Sequence, residues 1–318
     1  MTVVPIGSKV LDRSHAFAET FCATLPHTDE GKWGACGPYL ETQVATPVPV
    51  SSPIMTPLKV MLVGGAFSEC FENKALFVYG TSLEHMKGHG VVFGPLLSIG
   101  GTATPEANAI RIAKYLEDNR GDYIAIGHSK GAVDLMAAVQ HHEIARSSIK
   151  ALVSVAGAIG GSRLADLGVS FGILGFRDAV FRSGLGNCDI VDHGGIGSLR
   201  RDVRYTALRQ WKPPDTLRTY SVVAVSSYAK TSRPLHTMWR LNSSYSIDQD
   251  SHIIAEEAII PGSELLGIAN GDHWAVALPM SEHPLTQKKV DQNPFPRTAL
   301  LEAIVRFVTT AAEPGGRH

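Results

Sequence analysis

One stretch constrains this chain more than any other: Tyr123-Ile124-Ala125-Ile126-Gly127-His128-Ser129-Lys130-Gly131-Ala132. Its first four residues are apolar and bounded, as in a buried strand, and its end opens Val133-Asp134-Leu135-Met136-Ala137-Ala138-Val139, rich in helix formers. Between them stands Gly127-x-Ser129-x-Gly131, the G-x-S-x-G pattern of a nucleophile elbow. A sharp strand-to-helix turn puts the serine in a strained backbone conformation, so its neighbours must carry little side-chain bulk. The turn lifts the hydroxyl clear of the sheet, near a helix N-terminus whose positive potential suits a developing oxyanion. In a chain with 31 glycines the five-residue pattern alone is weak, and the flanking strand and helix carry the argument.

The rest of the chain keeps the same rhythm. Leu58-Lys59-Val60-Met61-Leu62-Val63 predicts a strand that runs into Gly64-Gly65-Ala66-Phe67. Small residues there let the backbone N–H of Ala66 (or Phe67) approach a substrate oxygen, with the Lys130 N–H as second donor. Val91 to Pro95 reads as a short strand, and Thr104-Pro105-Glu106 opens a helix with a cap, a first-turn proline and an acid at the positive end. Strands over 149–156, 219–225 and 265–269 follow, and Leu300, Ile304, Phe307, Val308 and Ala311 mark the inner face of a closing helix. Strand and helix alternating at these intervals predict an α/β fold with a mainly parallel central sheet flanked by helices. Residues 58–312 form the expected domain, and about 159–215, apolar and interrupted by glycine, read as a cap or lid insertion. Residues 1–57 read as an N-terminal extension ending in the Pro-rich linker Thr46-Pro47-Val48-Pro49-Val50-Ser51-Ser52-Pro53.

A serine hydroxyl needs a base, and the base needs a carboxylate to orient it. Of 13 histidines, His273 follows the final strand in Asn270-Gly271-Asp272-His273-Trp274, at the carboxyl edge where open α/β sheets place their chemistry. His236, His252 and His283 fall in less defined loops, and His128 is too close in sequence to turn back onto Ser129. The acid lies in Ser246-Ile247-Asp248-Gln249-Asp250-Ser251; Asp250, just ahead of the anchoring pair Ile253-Ile254, is preferred, with Asp248 the alternative. Asp272 adjoins His273, and adjacent side chains rarely face each other, so a structural or solvated role is expected for it.

Gly127-His128-Ser129-Lys130-Gly131, Ala156-Gly157-Ala158-Ile159-Gly160-Gly161-Ser162, Pro261-Gly262-Ser263 and Gly271-Asp272-His273-Trp274 resemble the esterase/lipase branch of the α/β-hydrolase superfamily over about residues 58–311. The resemblance implies an α/β-hydrolase fold, Ser129 as nucleophile, His273 as base and Asp250 as acid, with a small-molecule or lipid ester as substrate. Many relatives have His-Gly where this chain has Gly64-Gly65, which leaves the backbone donor intact. A thioesterase or acyltransferase would use the same residues, and a non-catalytic ligand-binding protein would share the fold. Neither cofactor nor metal is expected. A net charge of −1 gives no basic surface for nucleic acid, and no apolar run approaches a transmembrane segment. Cys22, Cys36, Cys70 and Cys188 lack metal-ligand spacing and read as free thiols or at most one bridge. No secretory signal is visible, so the expected address is cytoplasmic.

Overall fold

The computed structural model describes residues 9–28, 32–44, 50, 53–68, 77–97, 99–167, 194–284 and 286–312. Among them six strands form one parallel sheet: β1 (Leu11–Asp12), β2 (Lys59–Val63), β3 (Tyr123–His128), β4 (Ile149–Val155), β5 (Arg218–Val225) and β6 (Glu264–Asn270). Their order is β1-β6-β5-β4-β3-β2. Helices α1 (Ser14–Thr24), α2 (Leu83–Gly88), α3 (Pro105–Asp118), α4 (Lys130–His141), α5 (Glu143–Ser148), α6 (Arg163–Asp166), α7 (Arg201–Gln210), α8 (His236–Ser243) and α9 (Arg297–Ala312) connect and cover it.

The strands are near-continuous apolar runs because both faces of the sheet are buried. Along β2, Val60 and Leu62 face a cluster that holds Phe17 and Phe21 of α1 with Leu300 and Ile304 of α9. Met61 and Val63 face the opposite cluster, with Ile112 and Leu116 of α3 and Leu135 and Met136 of α4. Each such side chain taken out of water contributes about 1.5–3 kcal/mol toward offsetting the entropy of ordering the chain. The start of α3 follows its sequence signal: Thr104 Oγ1 accepts the Ala107 N–H at 3.3 Å, and Pro105 occupies the first turn. The short strand expected at 91–95 is a single bridge, Val60 to Phe93.

The segment expected to be an N-terminal extension is built into this sheet. Leu11 and Asp12 pair with Glu264 and Leu265, and the Arg13 N–H donates to the Leu265 carbonyl at 2.9 Å. α1 packs on α9 and β6 through fully buried Phe17 and Phe21, and a Cys22–Cys36 disulfide ties α1 to the loop that follows. Two residues of strand have no periodicity to read, which is why sequence alone does not show the join. Within the linker, residues 45–49 and 51–52 lie outside the described residues, as do Cys70 and Cys188. The expected cap is described over 159–167 and 194–215, whereas Val169, Phe171, Ile173, Leu174, Phe176, Val180 and Phe181 lie outside the described residues.

Candidate active site

The turn between β3 and α4 is built by two glycines that tolerate no side chain. A Cβ on Gly127 would stand 2.5 Å from the Ala132 nitrogen, and one on Gly131 would stand 2.4 Å from the carbonyl oxygens of Val63 and Gly64. Ser129 between them has φ 56° and ψ −126°, a conformation that costs a residue with a side chain about 1–3 kcal/mol. The surrounding sheet holds it there. The Ser129 N–H donates to the Val155 carbonyl at 3.1 Å, and its own carbonyl accepts the Ala158 N–H at 3.2 Å. Gly65 passes so close that a Cβ there would lie 2.7 Å from the Ser129 Cβ. The loop after β2 therefore lies against the serine, and Ala66 and Phe67 line the same pocket.

His273, in the loop after β6, places Nε2 2.9 Å from Ser129 Oγ and Nδ1 2.7 Å from Asp250 Oδ2. Asp250 is pinned from several sides. Its Oδ1 accepts the backbone N–H of Ile253 at 2.7 Å and of His252 at 2.9 Å, and its carbonyl accepts the His273 N–H at 2.8 Å. Buried Ile253 and Ile254 anchor the loop. Asp248 is half-buried, and its backbone carbonyl accepts the Ala255 N–H; the structure brings Asp250, not Asp248, to His273. Burial pushes the Asp250 carboxyl above its ordinary value, opposed chiefly by the charge of His252 and by those two backbone donors. Burial likewise holds the His273 imidazole well below its ordinary value, so at neutral pH it keeps a free lone pair.

Two further histidines flank His273. The ring of His252 stacks on it, with centroids 4.4 Å apart and planes 16° from parallel, and His252 Nδ1 sits 2.9 Å from Ser251 Oγ. His128 lies on another side, 4.8 Å away between ring centroids, and its Nε2 donates to the His273 carbonyl at 2.9 Å. His128 thus reaches the base, although it does not turn back onto the serine. Sequence reading left His252 undistinguished from His236 and His283, since its one signal was its place two residues after Asp250. His236 instead stacks on Tyr228, 4.1 Å away. Asp272 is fully buried and structural: its carboxylate accepts the N–H groups of Ser232, Trp274 and Ala275 and holds the turn that carries His273.

The pocket above Ser129 is walled by Phe67, Phe77, Leu164, Ile196, Met238 and Trp274, with Leu199 and Leu278 beyond. Leu164, Ile196 and Leu199 belong to the insertion after β4, whose described parts therefore form one wall. Ser162, at the foot of that insertion, donates its hydroxyl to the His252 carbonyl at 2.9 Å. Apart from the residues that line the pocket, the fully buried Lys130 Nζ lies 2.8 Å and 3.0 Å from the two Asp134 oxygens. Asn108 Nδ2 adds a hydrogen bond to Asp134 at 2.9 Å. Burial raises Asp134 to about 6, against the opposing pull of Lys130.

A parallel sheet that carries a strained serine between strand and helix, with a histidine after its last strand in chain order, defines the α/β-hydrolase fold, of the kind found in esterases and lipases. No protein-family profile matches the chain, and no curated protein does so. Among solved structures, a metagenomic carboxyl esterase is 29% identical, with a TM-score of 0.81 over 97% of this chain and 95% of its own. EstA from Clostridium botulinum (12% identity, TM-score 0.58, 85% and 93% coverage) shares the fold. So does lipase 1 from Pelosinus fermentans (9% identity, TM-score 0.59, 80% and 99% coverage).

Proposed function

We propose that the protein is a serine hydrolase that cleaves carboxylic esters. The carrying observation is the unbroken chain from Ser129 Oγ through the His273 ring to Asp250 Oδ2 at the floor of an apolar pocket. Neutral His273 takes the Ser129 proton as the oxygen attacks the ester carbonyl, and Asp250 holds the Nδ1–H and stabilises the imidazolium. The backbone N–H groups of Ala66 and Lys130 receive the oxyanion. The protonated imidazole then passes its proton to the leaving alcohol, and water, activated by the same base, releases the acyl group from Ser129. The similarity to a carboxyl esterase over nearly the whole chain supports this reading.

The walls argue for an acyl chain longer than acetyl, because each methylene buried against Phe67, Leu164 or Trp274 contributes up to about 0.8 kcal/mol. The test is turnover of p-nitrophenyl esters of graded chain length, run with and without an added alcohol acceptor. Hydrolysis with kcat/KM rising from acetate to medium chains is expected. Absence of ester turnover and of labelling by a serine-directed phosphonate probe would overturn the proposal, and acyl transfer outrunning hydrolysis would move it to acyltransferases. The Cys22–Cys36 disulfide favours an oxidising compartment over the expected cytoplasmic address. No described helix is long and apolar enough to cross a membrane.

A further inference from the structure

We propose that His85, His89 and Glu302, none of which lines the Ser129 pocket, bind one zinc ion between α2 and α9. His85 lies in α2, His89 caps its end one turn later, and Glu302 comes from the middle of α9. One potential ligand atom from each residue falls within 4.8 Å of the other two. Histidines four apart on one helical turn present their rings to the same side, and a carboxylate from a second helix completes a facial set of three. Here the two rings lie 4.3 Å apart.

The hydrogen bonds around the three residues orient one potential ligand atom on each, two of them now bonded to one another. His89 Nδ1 sits 3.0 Å from the His85 carbonyl, which can only accept, so Nδ1 carries the proton and Nε2 keeps its lone pair. A histidine ligand commonly donates its other ring N–H to a backbone carbonyl in this way. Glu302 is fully buried, and Arg306 Nε donates to its Oε1 at 2.7 Å, which fixes the carboxylate and leaves Oε2 facing His85. His85 Nε2 lies 2.7 Å from that Oε2. On zinc binding the His85 proton shifts from Nε2 to Nδ1, and the Nε2 lone pair and Oε2 turn to the metal. Two imidazoles and one carboxylate suit zinc rather than the oxygen-seeking calcium or magnesium, and water fills the fourth position.

The ion would clamp the segment after β2 to α9, beside the existing Ser82–Thr298 hydroxyl contact at 3.0 Å. Phe77 and Val78 of that segment line the pocket, so the clamp braces one of its walls. Its role is structural, and the test does not depend on the ester chemistry. The full chain, stripped with a chelator, is titrated with zinc by calorimetry while Tm is followed. One zinc per chain and a Tm rise of several degrees are expected, and cobalt in place of zinc should give the intense visible bands of a four-coordinate site. His89→Ala, at a half-exposed position outside the serine site, should weaken zinc binding at least about 100-fold and abolish the Tm rise. Glu302→Gln should weaken it too. Ester turnover of the stripped His89→Ala protein should match that of the stripped parent. Equal zinc binding by parent and His89→Ala would overturn the proposal, as would a Tm indifferent to zinc, which would leave His85 and Glu302 as a plain ion pair.

Discussion

Two buried polar clusters adjoin Ser129, one lining the pocket and one outside its lining, and they are built on opposite terms. On the pocket side, His273 meets Ser129 and Asp250 through one hydrogen bond per ring nitrogen. Outside the pocket lining, Lys130 and Asp134 are locked in a two-bonded ion pair, with Asn108 donating a further hydrogen bond to Asp134. The first cluster has the geometry that the proposed proton transfer needs. The second is a buried ion pair across the first turn of α4, where the Lys130 N–H is the proposed oxyanion donor. Lys130 thus takes part in both clusters, the backbone in one and the side chain in the other. Substitutions on the pocket side should therefore change turnover with little change in stability, and those outside the lining should do the reverse.

The sharpest break is Ser129→Ala, which should lower kcat by roughly five to six orders of magnitude while the circular dichroism and Tm stay near those of the parent. Relief of the strained Ser129 backbone is not on offer to alanine, so no large stabilisation is expected. A folded Ser129→Ala protein with near-native turnover would sink the mechanism. Next comes Asp250→Asn, which keeps the shape but cannot fix the tautomer that aims Nε2 at the serine; a loss of about ten-thousand-fold in kcat is expected. Asp248→Asn, assayed beside it, should cost less than about tenfold, and the reverse ranking would move the acid two residues.

On the other side of the comparison, Asp134→Ala strands a buried ammonium and should cost about 3–5 kcal/mol of stability, read as a lower Tm and denaturant midpoint. Its kcat, measured cold where the protein is folded, should remain within about tenfold of the parent. The double change Lys130→Met with Asp134→Leu keeps the backbone donor and should recover most of the lost stability, because a matched apolar pair avoids the desolvation cost. If Asp134→Ala leaves Tm unchanged but abolishes turnover, the division between the clusters is wrong.

The smallest effect concerns the base. Charge on His273 is opposed by burial, and the groups facing it are Asp250, His128 and the stacked His252. Because its neutral form persists to lower pH than a free imidazole, the acid limb of kcat/KM should fall below the usual histidine value of about 6.5. His252→Ala exposes one face of the ring, eases protonation, and should move that limb upward with a loss in kcat of about tenfold. An acid limb that does not move while KM alone changes would make His252 a pocket wall and nothing more.

These two clusters were not equally legible. Glycine spacing around Ser129, the apolar run of β3 and the turn after β6 all follow from local rules, so the serine and His273 can be named from the chain. Asp250 could be preferred over Asp248 because of Ile253 and Ile254, and the buried pair does anchor its loop. By contrast, Lys130 and Asp134 sit four apart on a helix, a spacing that ordinarily marks an exposed pair, and only the packing of α3 over α4 buries them. His252 was missed in the same way, since ring stacking depends on how two loops meet, which no periodicity records; the structural role expected for Asp272 is what its buried turn contacts show. The place of β1 was hidden for a further reason, since a dipeptide strand is defined by its partner.

That partner comes at the other end of the chain, and this gives the molecule an assembly order. The contact between Arg13 and Glu264 spans 251 residues, so β1 can be seated only after β6 has been made. During synthesis α1, its apolar face bearing Phe17 and Phe21, waits without β6 and α9 until nearly all of the chain has emerged. Long-range closures of this kind slow folding and leave apolar surface open to wrong partners in the meantime. The Cys22–Cys36 bridge, by contrast, spans only 14 residues and can close as soon as those residues reach an oxidant. It holds the waiting helix and its loop as one preformed piece, so that the final docking step brings home a single rigid unit in place of a loose tail.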